Sequence, residues 1–220
     1  MHITEGVLSV PVLLAGFVIS AAGTWHGIRN LHGERIMTTA VFAAVFFMAS
    51  LVHVPVGPSS AHLLLHGVAG LVLGWAAFPA LLTALLLQAV LFQFGGLTTL
   101  GVNTALVAVP AVLCHLALRG LPGRSKRATA LAGFAAGSLS VLLTALLAAL
   151  ALALSGEGFL AAAWVVVAAH APLMLVEGLV SMFVVGFLTK VRPEILTFAG
   201  RGVRNPRCLR CCDESRPSRI

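Results

Sequence analysis

The sequence predicts an all-α integral membrane protein, and three observations carry that prediction. Of 220 residues, 59% are hydrophobic and only 10% charged, too little charge to cover a soluble domain of this size. Apolar runs near or above the roughly 18–20 residues needed to cross a bilayer recur along nearly the whole chain. The basic residues fall in a few stretches between and after those runs, the pattern of membrane topology rather than of a nucleic-acid surface.

Reading apolar runs between breakers gives about seven transmembrane helices, at roughly 7–28, 36–53, 61–75, 78–95, 102–118, 128–154 and 160–189. Gly57-Pro58 interrupts the chain before the third, and Trp75 to Pro79 mark a tight turn before the fourth. Both are short enough to form one bent hairpin instead of two full spans. Gly95-Gly96 and Gly101 punctuate the next connection, and Ser155-Gly156-Glu157-Gly158 the one before the last helix. Residues 1–190 therefore form the membrane domain. Residues 191–220 form a basic cytoplasmic tail, expected to be disordered, in which Cys208, Cys211 and Cys212 sit among arginines without a second ligand pair for zinc. With Cys114 inside an apolar run, no secreted disulfide framework is suggested.

Seven crossings place all 14 Lys and Arg residues on one side, whereas six would split them. The positive-inside rule makes that side the cytoplasm and puts the N-terminus outside. No basic segment precedes the first apolar run, and Glu5 stands where a signal peptide would carry positive charge, so the start reads as part of the mature chain. Small-residue faces occur in helix six (Ala130, Gly133, Ala136, Gly137) and around Ala15, Gly16, Ala21, Ala22 and Gly23. They suit close helix packing within the chain, with partner docking second.

An external Met1-His2 offers three nitrogens in sequence: the α-amine, the His2 amide and imidazole Nδ1. Binding through them closes adjacent five- and six-membered chelate rings. Deprotonating the amide requires a strongly polarising ion, and coplanar nitrogens favour a tetragonal site, which points to Ni²⁺ or Cu²⁺ with Co²⁺ also suited. The α-amine, with a pKa of about 8, exchanges a proton for metal near neutral pH. His53, His62 and His66 cluster around the outer second loop as candidates for a fourth nitrogen. As helical neighbours, His62 and His66 would share one face. The pattern of residues does not choose among the three.

Four separated motifs resemble the CbiM/NikM family, the substrate-binding (S) components of energy-coupling factor transporters for cobalt and nickel. They are Met1-His2-Ile3-x-Glu5-Gly6-x-Leu8-Ser9, then Val54-Pro55-x-Gly57-Pro58-Ser59-Ser60-x-His62-Leu63-Leu64. The others are Gln88-x3-Phe92-x2-Gly95-Gly96-Leu97-Thr98-x-Leu100-Gly101-x-Asn103 and His170-x-Pro172-x-Met174-x-x-Glu177-Gly178. They run in order from residue 1 to about 190. The resemblance implies an S-component-like bundle with an additional N-terminal helix, whose N-terminal segment inserts among the helices. It implies metal ligands at Met1, His2 and His62, with His66 in a supporting or bystander position. Ser59 and Ser60 are expected to cap the third helix and aim His62. The loop from Gly95 to Asn103 is expected over the ion, with Asn103 bonded to the N-terminal segment. Gln88, Gln93, His170 and Glu177 are polar groups in apolar spans and need partners, His170 and Glu177 lying two turns apart on one helix face.

No G-x-x-x-x-G-K-[ST] occurs, so ATP hydrolysis is not expected of this chain, nor catalysis of any kind, nor a catalytic cofactor. The resemblance implies partners that supply energy: a CbiQ/NikQ-like T component, CbiO/NikO-like ATPase subunits and a small CbiN/NikN-like membrane protein. The setting is the inner membrane of a prokaryote, with lipid and no nucleic acid as surroundings, and Co²⁺ or Ni²⁺ as cargo. Two rivals are a metal-dependent intramembrane enzyme built on His62, His66, His170 and Glu177, and a self-sufficient channel or secondary transporter. The first lacks H-E-x-x-H, and the second has no charged residue in the middle of helices one to five for a proton relay.

Overall fold

Helix α1 (Val10–Arg29) shows how this bundle is packed: its buried residues are Gly16, Ser20, Gly23 and Gly27, and its exposed ones include Leu14, Phe17 and Val18. Small groups face the protein and large apolar ones face outward, the inverse of a soluble helix and the arrangement suited to lipid. The computed structural model describes residues 3, 5–29, 31–51, 53–56, 59–62, 65–93, 95–121, 125–156 and 160–191, with backbone alone at 34, 53–56, 59–62, 160–164 and 166. The expected tail at 192–220 lies outside the described residues.

After α1 come α2 (Glu34–Leu51), a two-stranded hairpin β1 (His53–Val56) and β2 (Ser59–His62), and α3 (His66–Leu73). A 3₁₀ turn at Gly74–Ala76 leads to α4 (Ala77–Phe92), followed by α5 (Leu100–Leu118), α6 (Lys126–Ala153) and α7 (Leu160–Val191). The all-helical membrane bundle is as expected, but the count of seven spanning helices is not confirmed. Among the described residues five stretches are helical, long and apolar enough to cross, one of them the composite His66–Phe92, while Arg35–Leu51 is a shorter apolar helix.

The expected third span, 61–75, is replaced by β2 and the 8-residue α3, about 12 Å long. Pro55 and Pro58 remove two amide donors and bias the residues before them away from helical geometry, and two of the four residues of β1 are valines. Register pairs His53 with His62, Val54 with Ala61, Pro55 with Ser60 and Val56 with Ser59. His53 therefore does not end α2, Ser59 and Ser60 do not cap a helix, and His62 and His66 do not share a helical face.

At Gly74, φ 58 and ψ −124 break the composite stretch in two. Helix α3 runs beside α5, with Gly70 against the Ala111 carbonyl and Gly74 against His115. Helix α4 then returns, beginning where Phe78 packs on Gly23 of α1 and ending at the loop beneath Glu5. The third and fourth elements thus run in opposite directions along α5. The small-residue face of α6 is packed inside the chain, Gly133 and Gly137 meeting Met182 and Glu177 of α7, whereas on α1 Gly16 meets Val102 of α5 and Gly23 meets Phe78 while Ala15, Ala21 and Ala22 stay exposed.

Candidate functional site

Asparagine 103 organises the N-terminal end of the molecule. It lies in the first turn of α5, not in the preceding loop as expected, because α5 begins at Leu100. Its Oδ1 accepts from the Ile3 N–H at 3.0 Å, and its Nδ2 donates to the Ile3 carbonyl at 3.2 Å. A second Nδ2 bond to Thr99 Oγ1, 3.3 Å away, keeps the amide plane aimed at the chain. Both polar groups of Ile3 are thereby satisfied in a buried position, where leaving either unpaired costs about 1–3 kcal/mol. The Ile3 side chain joins Leu8, Val102, Leu106, Ala148, Ala151 and Leu152 in a packed cluster.

Further contacts hold the same segment. The Ser9 N–H donates to Ser155 Oγ at the end of α6. Glu5 Oε1 accepts from the Thr98 amide at 3.2 Å and the Thr98 hydroxyl at 3.0 Å. The backbone N–H of Thr98, then its hydroxyl, hold the Glu5 carboxyl below its ordinary value. A depressed carboxylate stabilises the folded contact above the unfolded pKa of about 4.3, and that contribution is lost as pH falls through the lowered folded value. We therefore expect the Thr98 amide to keep its hydrogen-exchange protection down to about pH 4 and lose it below, with Glu5→Gln showing no such acid step. An identical acid step in Glu5→Gln would show that another group controls it.

Deeper in the bundle, Pro110 lies inside α5 and brings no amide hydrogen, so the Leu106 carbonyl lacks its helical donor. Thr144 of α6 replaces it, its hydroxyl donating to Leu106 O at 3.0 Å. The same hydroxyl oxygen lies 3.1 Å from Nε2 of His66, the fully buried first residue of α3. Immediately before it, Leu65 takes a left-handed conformation, φ 48 and ψ 14, costly for a branched side chain. Its N–H is held by both carboxylate oxygens of Glu177, at 3.2 Å each, from the fully buried side chain on α7. A carboxylate at a helix N-terminus also meets the positive end of the helix dipole. Gln88, likewise fully buried, donates to Ser50 Oγ on α2.

Of the residues expected to hold or surround the ion, Asn103 and His66 are placed with their side chains. Met1 and His2 lie outside the described residues, and Ser59, Ser60 and His62 are placed by backbone only, in β2. Among the described residues no three His, Cys, Asp or Glu side chains converge on a common point. Thr144 and Pro110 were not singled out from the sequence. The signal for them is a proline and a hydroxyl inside two apolar spans, each of which needs a polar partner in lipid.

Fold and site together define a multi-pass helical membrane protein that draws the start of its own chain into the bundle and binds it there by its backbone. The chain belongs to the CbiM family, described as the cobalt uptake substrate-specific transmembrane region, whose pattern matches residues 2–195. It is 44% identical to a Haemophilus influenzae protein provisionally named a metal transport protein, over 89% of this chain and 97% of that one. It is 35% identical to the fused nickel transport protein NikMN of Rhodobacter capsulatus, over 61% of this chain and 42% of that one. A crystal structure of a transition metal transporter shares the fold, with a TM-score of 0.68 at 24% identity, covering 88% of this chain and 95% of that one.

Proposed function

We propose that this chain is the ion-capturing membrane component of an energy-coupling factor importer for Co²⁺ or Ni²⁺. The observation that carries the reading is the Asn103 clamp on Ile3, which holds the backbone inside the bundle two residues from the α-amine. The ligands are the Met1 amine, the His2 amide and imidazole, and the His62 imidazole, with Ser59, Ser60 and Asn103 shaping the surrounding loop and segment. Four nitrogens, one of them an ionised amide, suit a late first-row dication.

The N-terminus faces outward and the tail inward. Arg29, stacked 4.7 Å over Trp25, lies on the last turn of α1, where Gly27 packs on the 74–76 turn. Arg119 follows His115, which meets Gly74, and Lys126 and Lys190 lie at the matching ends of α6 and α7. The Glu5–Thr98 and Ser9–Ser155 bonds mark the opposite end. Gathering of positive charge at one end supports that end as cytoplasmic.

A T component and ATPase subunits drive release of the ion inward, and a small NikN-like membrane protein accompanies this chain. The fused name of the Rhodobacter relative supports the last of these. No catalytic step is assigned to the chain itself.

Substitution at the hairpin tests the ligand set. His62→Ala is expected to weaken Co²⁺ and Ni²⁺ binding to the detergent-purified protein by at least about tenfold, roughly 1.4 kcal/mol. His53→Ala, at the paired position in β1, is expected to leave it unchanged. The reverse ranking in equilibrium dialysis would move the fourth ligand to His53.

A further inference from the structure

The hairpin that carries His62 cannot hold its own position. Its strands have four residues each, and a two-stranded hairpin alone is marginally stable at best. Where it stands is therefore decided by the helices that β2 runs beside, α2 and α7, and by what grips the chain at its two ends. Before it, Ser50 in the last turn of α2 accepts from the fully buried Gln88 of α4. After it, the Leu65 N–H is gripped by the fully buried Glu177 of α7.

The second grip uses a group that packing alone does not call for. An enclosed carboxylate in a bundle of membrane helices is unfavourable unless a specific bond needs it, and a leucine fills similar volume without that penalty. Both oxygens lie 3.2 Å from the one nitrogen, so its hydrogen points between them. Leu65, at φ 48 and ψ 14, holds a conformation that a leucine leaves unless its surroundings over-determine it. The base of the grip is fixed as well. Gly137 of α6 has no room for a side chain beside the Glu177 carbonyl, and Gly178 is as close to Phe134 and Ser138. Leu65 stands three positions after His62, at most about 11 Å of extended chain. A change of its φ and ψ to right-handed or extended geometry redirects the residues that precede it, β2 included.

We propose that Glu177 is a positioning residue for the captured ion: its carboxylate fixes the left-handed turn at Leu65 and so sets where His62, at the end of β2, stands. The inference rests on the reading of His62 as a ligand and deepens it. Glu177 acts through Leu65 and not on the ion.

The test is a double-mutant cycle on the full-length protein in detergent, with folded, monodisperse samples titrated with Ni²⁺ alone. Glu177→Leu is expected to weaken binding about tenfold, and to add nothing in the His62→Ala background, where no ligand is left to position. Glu177→Gln, whose amide oxygen still accepts from the Leu65 N–H, should stay within about threefold of the wild type. In the wild type, which needs no variant to fold, the Leu65 amide should exchange at least about 100-fold more slowly than in an unstructured peptide. Wild-type affinity in Glu177→Leu overturns the inference, and so does an undiminished loss in the His62→Ala background, which would make the effect general to the bundle. Equal losses in Glu177→Gln and Glu177→Leu overturn it too, because charge and not the bond to Leu65 would then support the ion. An unprotected Leu65 amide overturns it without any variant. His62→Ala separates the two readings. If it binds Ni²⁺ as the wild type does, the ligand reading falls and this inference with it; a loss there beside wild-type affinity in Glu177→Leu removes this inference alone.

Discussion

His2→Gln is expected to raise the dissociation constant for both Co²⁺ and Ni²⁺ by at least about 10³-fold, roughly 4 kcal/mol. Glutamine removes the imidazole and one chelate ring while remaining bulky enough for Met1 to be retained. With the ring gone, nothing anchors the ion while the His2 amide ionises, so two of the four nitrogens are lost together. A four-residue Gly-Ser extension before Met1 should have the same effect by moving the α-amine away. A single inserted residue is a poor test, since Met-Ala-His would create an amine, two amides and an imidazole capable of binding Ni²⁺ unaided. Isothermal titration of folded, monodisperse protein checks both variants, and wild-type affinity in either one ends the chelate proposal.

The second large effect belongs to Asn103→Leu, which fills similar volume but leaves the Ile3 N–H and carbonyl without their partners. Each orphaned group costs about 1–3 kcal/mol, so the segment is expected to leave its place in preference to staying unpaired. Metal binding should weaken about 100-fold. Asn103→Asp, which retains the acceptor for the Ile3 N–H but not the donor for its carbonyl, should fall between wild type and Asn103→Leu. Thermal stability of the bundle should change far less than affinity, because the clamp secures a terminal segment and not helix packing. Equal affinity in wild type and Asn103→Leu would show that the clamp does not position the binding nitrogens.

The two expectations draw on different levels of the molecule. Met1-His2 is chemistry written in adjacent residues, since three donor atoms within two residues form a chelate wherever the chain goes. The clamp joins positions 3 and 103, and was anticipated only through a family motif; the geometry of two bonds to one peptide came from the fold. The helices were legible because a bilayer demands long apolar runs, and because Gly57-Pro58, Trp75 to Pro79 and Gly95-Gly96 interrupt them. The hairpin was not. Its apolar residues continue the hydrophobic run, and only Pro55, Pro58 and the valines of β1 argued for strands, signals overridden by the expectation of a helix at 61.

That misreading matters for the site, because it treated His62 and His66 as equivalent members of one helix face. Folding separates them: His62 opposes His53 in a hairpin, while His66 starts α3 after a left-handed residue held by Glu177. The hydroxyl that meets His66 comes from Thr144, 78 positions away, and is itself tied to a carbonyl that Pro110 left without its helical donor.

By itself the sequence determined the membrane class and the order and approximate ends of most helices. These rest on composition and on neighbours along the chain. Tertiary structure alone decided where Ile3 is held, which backbone N–H the Glu177 carboxylate holds and which hydroxyl meets His66. Each of those is a pairing of buried polar groups between distant segments, and in a low-dielectric interior such pairings are settled by which partners the packed helices bring within reach.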